Sequence, residues 1–365
     1  MNFLVNGFNY NKSWGINYDF DFTAVKKSVN PHWDLIKYAT GPLHMPVFET
    51  LTTDELDLIR RSFLILDYTW ESFDIGHLYY SIHMECIKYN MPESHVILLT
   101  ANLDREQYNY NEWYINSGFK NRIATFSAAP FVDLNHMFIN KIPPDPIKIS
   151  HSFITFSRNP RAHRTAMNYL IVENKLNAVL SQSAMAPHIL KEQLSKFNIE
   201  CHNETVFDTP YEIDRSDFDT DMPVHWTEDI CESAINHSFV LVQETIVDDI
   251  GFYMTEKTFK YMLFNRPLII WGQPGANHYL KDLGFNMYDN YFDLSFDLIK
   301  DDSNRLTALI AELKRVAGVL STVDNPYEWI YKDSVTLKRN RNLTLDRSIN
   351  KPFVTAINQY MHTIR

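Results

Sequence analysis

Two stretches of this chain gather residues whose types and spacing suit anion chemistry. The first is Phe156-Ser157-Arg158-Asn159-Pro160-Arg161-Ala162-His163-Arg164, with three arginines and a histidine within seven residues. Guanidinium groups bind phosphate oxygens bidentately, and Pro160 is pre-set for the first turn of a helix, so the segment reads as a compact cationic cradle. A basic surface turn is the plainer reading. The second stretch runs Ser238-Phe239-Val240-Leu241-Val242-Gln243-Glu244-Thr245, then a Gly-containing loop, then Tyr253-Met254-Thr255-Glu256-Lys257-Thr258-Phe259-Lys260. Thr255 is a good helix N-cap, which puts Glu256 and Lys257 in the first helical turn. Glu suits the positive end of the helix dipole and Lys does not, unless an anion binds there. From these residues alone, an anion site and a solvated lysine stand about level.

The elements that must position these groups are read from the apolar pattern. Phe63–Leu66 predicts a buried strand, Ile75–Tyr89 a helix, Asn90-Met91-Pro92 a turn, and Val96–Thr100 another strand. Lys141-Ile142-Pro143-Pro144-Asp145-Pro146-Ile147 holds three prolines in four residues, which no helix or central strand accepts, so it reads as a linker. Beyond it the alternation resumes: strand Ser152–Phe156, helix Pro160–Glu173, strand Ala178–Ser181, helix Pro187–Phe197, strand Ser238–Val242, helix Glu256–Phe264 and strand Leu268–Trp271. Strands alternating with helices imply parallel sheets covered on both faces. The expectation is an α/β chain of two Rossmann-like domains facing a cleft. Residues 1–145 would form an N-terminal acceptor-side domain and 146–345 a donor domain, with a closing helix in 346–365.

The run Glu244-Thr245…Tyr253-Met254-Thr255-Glu256-Lys257, with the apolar helix and Pro267-Leu268-Ile269-Ile270 after it, resembles the donor-binding signature of α1,3-fucosyltransferases and their relatives. In that family the motif reads Phe-Glu-Asn-Ser, a short loop, then Tyr-Val-Thr-Glu-Lys. The carboxy-terminal half is also similar to glycosyltransferases of large tailed phages, sharing a Thr-Glu-Lys-Thr-Phe-Lys core and the following Pro274-Gly275 and Leu283-Gly284-Phe285. The resemblance covers residues 150–300 and only faintly the amino-terminal half. It implies the GT-B architecture and a nucleotide-diphosphate sugar as donor, with no tightly bound cofactor. By the same resemblance Glu256 binds donor hydroxyls, Lys257 faces the diphosphate and Glu244 borders the sugar pocket. Arg158, Arg161 and Arg164 would stabilise the leaving pyrophosphate without a metal. The chain departs from the family pattern in the spacing of Glu244 and Glu256, twelve positions apart, and in Thr245 where Asn is usual, so fucose does not carry over.

An inverting transfer needs a base on the opposite wall, and Asp67 and Glu71 follow the first predicted strand; Asp19 and Asp21 are runners-up. For any one of these acids a capping or solvated role is the commoner fate. Asp-x-Asp pairs at Asp19/Asp21, Asp217/Asp219 and Asp219/Asp221 could hold a divalent ion, but such pairs arise by chance in a chain this rich in Asp. His163, His188, His225, His237 and His278 lack ligand spacing, and no metal requirement is expected. Lys338-Arg339-Asn340-Arg341, near Arg347, is a nucleic-acid contact or a solvated turn, the turn being the favoured reading.

Composition narrows the classes. The 365 residues carry 34 Lys+Arg against 45 Asp+Glu, a net charge of -11, which weighs against a general DNA-coating protein but not against one local basic patch. No apolar run approaches a membrane span, and the amino terminus lacks the basic and apolar regions of a signal peptide. Cys86, Cys201 and Cys231 are odd in number and far apart, against a disulfide framework, so a cytoplasmic protein is expected. Aromatic residues reach 14%; most must fill cores, though some suit base or sugar stacking. The acceptor is expected to be a hydroxymethylated pyrimidine in phage DNA or, alternatively, a glycan or protein hydroxyl. The competing class is a non-catalytic nucleotide-sugar-binding protein of the same fold.

Overall fold

The computed structural model describes residues 36–40, 52–60, 63–68, 76–102, 106–127, 148–157, 160–211, 228–248, 252–346, 349 and 351–364. By internal contacts the chain divides into two compact units, Met1–Asp133 with Ile250–Tyr253 and Ser348–Arg365, and Leu134–Asp249 with Met254–Arg347. The proline linker lies outside the described residues.

In the first unit β1 (Ile36–Thr40), α1 (Thr53–Ile59), β2 (Phe63–Tyr68), α2 (Gly76–Lys88), β3 (Val96–Thr100), α3 (Glu106–Ser117) and β4 (Ala124–Ser127) succeed one another. Their strands form one parallel sheet in the order β1-β2-β3-β4. Every residue of β3 is buried, which is why it reads in the sequence as an unbroken apolar run. On α2 the buried residues Leu78, Tyr79, Ile82 and Cys86 recur at helical spacing and cluster with Leu64, Leu66 and Leu98 of the sheet. Asn90 closes α2 with a left-handed φ of 49°, a conformation that Asn tolerates well. The C-terminal helix Lys351–Thr363 belongs to this unit. Its Tyr360 lies 6.3 Å from the Phe63 ring and 5.9 Å from Phe126, and its hydroxyl donates to the Ser94 carbonyl at 2.9 Å.

The second unit runs β5 (Ser150–Phe156), α4 (Ala162–Glu173), β6 (Ala178–Ser181), α5 (Pro187–Ser195), α6 (Glu228–Ile235), β7 (His237–Gln243), α7 (Glu256–Met262), β8 (Leu268–Trp271), α8 (Ala276–Asp282), α9 (Asp302–Thr322), α10 (Pro326–Ile330) and α11 (Ser334–Asp346). Its sheet is parallel in the order β6-β5-β7-β8. The chain steps outward from β5 to β6, then crosses back to lay β7 on the other side of β5. The β5/β7 pair is therefore the point at which strand order reverses. Aromatics fill this core: Phe153 and Phe239 stack across the two strands at 4.9 Å, with Phe292 at 5.2 Å and Trp329 at 5.9 Å from Phe239.

The fold is thus α/β with parallel sheets and helices. Among the described residues no helix is long and apolar enough to cross a membrane. Two differences from the sequence reading stand out. The longest helix, α9, is not predicted by the strand–helix alternation, although its buried Leu306, Leu309, Ile310, Leu313, Val316 and Leu320 fall at helical spacing. The basic cluster at 338–341 sits in α11 and not in a turn, because Thr336, Leu337, Asn340 and Thr344 bury one face of that helix.

Tyr360 ties the C-terminal helix to the first sheet through its ring and to the turn before β3 through its hydroxyl. Tyr360→Phe should cost the first unit about 1 kcal/mol, one neutral hydrogen bond. Tyr360→Ala should cost roughly 2–3 kcal/mol, below the scale for a fully buried aromatic ring. Denaturant unfolding followed by hydrogen exchange at β2 and β4 amides checks both.

Candidate functional site

In open parallel sheets ligands bind outside the carboxyl ends of the strands where strand order reverses. In the second unit that place is the end of β5 and β7, and both sequence-predicted stretches meet there. Arg161, exposed at the N-cap of α4, donates from Nη1 to the Thr245 carbonyl at 2.8 Å. Arg164, buried one turn later, donates from Nε and Nη2 to the Glu244 carbonyl at 3.3 and 3.1 Å. His163 Nε2 lies 2.9 Å from the same carbonyl. A carbonyl only accepts, so the ring proton sits on Nε2. Burial, together with the charges of Arg164, Arg161 and Arg305, pushes the His163 pKa down to about 3, despite the opposing effect of its hydrogen bond to Glu244.

Glu244 itself is 1% exposed, and both carboxylate oxygens are held by the chain's own donors. Oε1 accepts from Thr255 N at 3.0 Å and Thr258 Oγ1 at 2.6 Å; Oε2 accepts from Thr255 Oγ1 at 2.7 Å and Thr245 N at 3.2 Å. The carboxylate therefore staples the end of β7 to the beginning of α7. Thr255 is the N-cap of α7, its Oγ1 accepting from Lys257 N at 3.3 Å. The Lys257 ammonium lies 3.5 Å from that same oxygen, and Lys257 is half-buried. Glu256 opens α7, its side chain outside what the structure describes.

Around this staple the edge of the sheet is polar inside as well. Gln243 Nε2 donates to Thr155 Oγ1, Ser157 Oγ and Asn168 Oδ1 at 3.0, 3.2 and 2.7 Å. Asn168 Nδ2 in turn donates to Ser157 Oγ at 2.8 Å, the Ser181 carbonyl at 3.2 Å and Gln182 Oε1 at 2.9 Å. This network ties the ends of β5, β6 and β7 to α4. Gln243 Oε1 has no hydrogen-bond partner among the described residues. Arg305, from α9, donates to the carbonyls of Val247 at 3.2 Å and Gly272 at 3.1 Å and lies 5.0 Å over the Trp271 ring. The Trp271 indole donates to the His163 carbonyl at 3.1 Å. Beyond β8, Asp297 accepts from Asn277 Nδ2 at 2.7 Å and from His278 N and Nδ1 at 3.0 and 2.8 Å, closing the start of α8.

The structure thus brings together Arg161, Arg164, Glu244, Thr255 and Lys257 on one sheet edge. Arg158 and Glu71 lie outside the described residues, as do Asp19, Asp21, Asp217, Asp219 and Asp221. Asp67 is placed by its backbone in β2, opposite Thr40 and Leu99, its side chain not among those described. Among the described residues no group of three or more His, Cys, Asp or Glu side chains is gathered to hold a metal ion. The sequence reading does not single out Thr258, Arg305, Asn168 or Gln243. Asn168 had a visible signal, a polar residue amid Ala166, Met167, Tyr169 and Ile171 on a buried helix; Arg305 had none. Comparison with known proteins adds no relative: no protein-family model and no curated protein matches the chain.

Two outcomes follow from this geometry. A Cβ on Gly272 would meet the Glu244 Cβ and the Ile270 Cγ2 at 3.3 Å each. Gly272→Ala should therefore destabilise the second unit by about 1–3 kcal/mol, the usual cost of overpacking, as read by denaturant midpoint. The second concerns acid. The folded His163 pKa is about 3, below the unfolded value of 6.5, so its stabilising contribution is complete above 6.5 and drains away as pH falls toward 3. His163→Gln should be less stable than wild type at pH 7 and lose less stability between pH 6.5 and 4, measured by urea unfolding across pH.

Proposed function

We propose that the chain is a nucleotide-sugar-dependent glycosyltransferase of two Rossmann-like domains, with the donor held by the second unit. The observation that carries the reading is the meeting of Arg161, Arg164 and the Glu244–Thr255–Lys257 segment where strand order reverses in the second sheet. A diphosphate leaving group gains negative charge as the sugar bond breaks, and fixed cations at a sheet edge stabilise that charge without reorganising. The resemblance of Tyr253-Met254-Thr255-Glu256-Lys257 to the fucosyltransferase donor signature supports the same placement.

In this reading Lys257 and Arg161, which reach the surface, take the diphosphate oxygens, while Glu256 takes donor hydroxyls. Arg164 works from behind, fixing the Glu244 carbonyl. Arg158, outside the described residues, is proposed to join Lys257 and Arg161 on the diphosphate. Asp67 and Glu71 are the proposed acceptor-side bases, and the proposal calls for no metal ion. Hydroxymethylcytosine in DNA is the proposed acceptor. The exposed Lys338 and Arg339 of α11 offer the local basic surface that a chain of net charge -11 needs for it.

A thermal-shift screen of UDP-, GDP- and CMP-linked sugars should find a donor that raises the unfolding temperature, since a ligand of the native state alone must stabilise it. Lys257→Ala should weaken the matching nucleoside diphosphate by roughly 1.5–3 kcal/mol, the scale of a charge-assisted hydrogen bond, and leave the bare nucleoside unaffected. Transfer should persist in EDTA and, onto modified DNA, fall several-fold from low to physiological salt. Paired charge reversal at Lys338 and Arg339 should weaken that transfer. Binding with neither transfer nor donor hydrolysis would leave the non-catalytic reading, and salt-independent transfer to a free glycan would replace the DNA acceptor.

A further inference from the structure

We infer that Glu244 is a positioning residue, which sets the Lys257 ammonium through the Thr255 hydroxyl and does not itself touch the sugar; this rests on the donor-site reading above. The resemblance would make the Glu244 carboxylate a border of the sugar pocket, yet it is 1% exposed and each of its oxygens already accepts two hydrogen bonds. A carboxylate oxygen offers about two lone-pair sites, so all are used within the chain.

What those bonds do is directional. The Thr255 hydroxyl has one proton, and it goes to Glu244 Oε2 at 2.7 Å. Its lone pairs then face Lys257, whose backbone N–H lies at 3.3 Å and whose ammonium at 3.5 Å. The carboxylate thereby fixes which way the hydroxyl points, and the hydroxyl presents an acceptor to the lysine. Thr258, one helical turn past Thr255, locks the other carboxylate oxygen at 2.6 Å, so Glu244 cannot swing out to a ligand without breaking α7 from β7. Gly272 enforces the same placement from behind, since the space beside the Glu244 Cβ admits no further carbon without a contact of 3.3 Å.

A glutamine cannot replace this carboxylate. Whichever way its amide is turned, the NH2 group faces a backbone N–H, that of Thr255 on one side or Thr245 on the other. With the NH2 at the Oε2 place the Thr255 hydroxyl also loses its acceptor. With it at the Oε1 place the hydroxyl keeps its acceptor, but the NH2 opposes the Thr255 N–H and pushes that N-cap residue, and Lys257 with it, away from the side chain.

The test is calorimetric titration of UDP and GDP, with uridine and guanosine as controls, well below each variant's unfolding temperature. Glu244→Gln and Thr255→Val should each weaken the nucleoside diphosphate roughly tenfold, the loss of one charge-assisted contact, and leave the nucleoside within twofold. Thr255→Ser, which keeps the hydroxyl, should recover the affinity. In a Lys257→Ala background Glu244→Gln should cost less than twofold more, because its effect runs through the lysine. Should Glu244→Gln fail to fold, Thr255→Val and its serine rescue carry the same test. The inference is overturned if the diphosphate affinity of folded Glu244→Gln is unchanged, if its loss adds fully to that of Lys257→Ala, or if sugar nucleotides lose more than the bare diphosphate does. Wild-type protein that binds neither diphosphate overturns the donor site itself, an outcome separate from the other three.

Discussion

One buried carboxylate organises the carboxyl edge of the second sheet. Glu244 stands where β7 ends, and placing a charge there with 1% exposure is unfavourable unless every lone pair is met. Four donors from Thr245, Thr255 and Thr258 meet them, and supplying those donors dictates the local backbone. The chain must leave β7, travel out and return so that Thr255 N arrives within 3.0 Å of the residue it left eleven positions earlier. The start of α7, and with it Thr255 and Lys257, is therefore fixed by an electrostatic requirement and not by helix propensity, which in a seven-residue helix is slight. Gly272 follows from the same constraint, as the neighbouring strand end must stay clear of the Glu244 side chain.

The arginines of this edge answer a second requirement, which is to satisfy main-chain carbonyls at and beyond the strand ends. Arg161 takes the Thr245 carbonyl, Arg164 the Glu244 carbonyl, and Arg305 those of Val247 and Gly272. A guanidinium suits this work because its donors spread in a fixed fork and its flat face lies against a ring, as Arg305 does on Trp271. Burial, with the like charges so gathered, keeps His163 neutral, and its Nε2–H is one more donor to the Glu244 carbonyl. Buried polar groups of this kind cost stability when left unpaired, so removing a member of the Gln243–Asn168–Ser157 network, where Gln243 Oε1 already lacks a partner among the described residues, is expected to be destabilising.

How much of this was legible in the sequence depended on the range of the interaction. β3 and β8 were readable to their ends, since a strand buried on both faces is a short apolar run bounded by polar residues or turns, and the half-buried edge strand β6 kept enough of that pattern to be read as well. Thr255 was readable as an N-cap because capping is local. By contrast α3, rich in Asn and Tyr, hides its buried face in Tyr110, whose hydroxyl accepts from Ile123 N at 2.9 Å. The basic stretch of α11 obscured a helix that packs through Thr, Asn and one Leu. At the site, residue types announced a phosphate cradle, but the sequence could not say that Arg164 turns inward to a carbonyl or that Glu244 is saturated. The first depends on a partner 80 positions away that the crossing from β6 to β7 brings near, the second on Thr255 and Thr258, 11 and 14 positions on, which the return of the chain from β7 to α7 brings near.

That distinction bears on how cations at such an edge should be counted. A motif rich in arginine invites the assumption that each guanidinium faces the ligand, yet Arg164 is 4% exposed and engaged with Glu244, and Arg305 is 1% exposed. Among the described residues of the two stretches, Arg161 and Lys257 reach the surface, Arg161 holding the Thr245 carbonyl and Lys257 the Thr255 hydroxyl. Both anchors belong to the segment that Glu244 staples. The inner arginines thus hold the frame and the carboxylate sets its geometry, which leaves Arg161 and Lys257 as the outer cations among the described residues. For any anion that such an edge were to bind, preorganisation of this sort would be worth more than a larger number of mobile charges, because less rotamer freedom would have to be given up on binding.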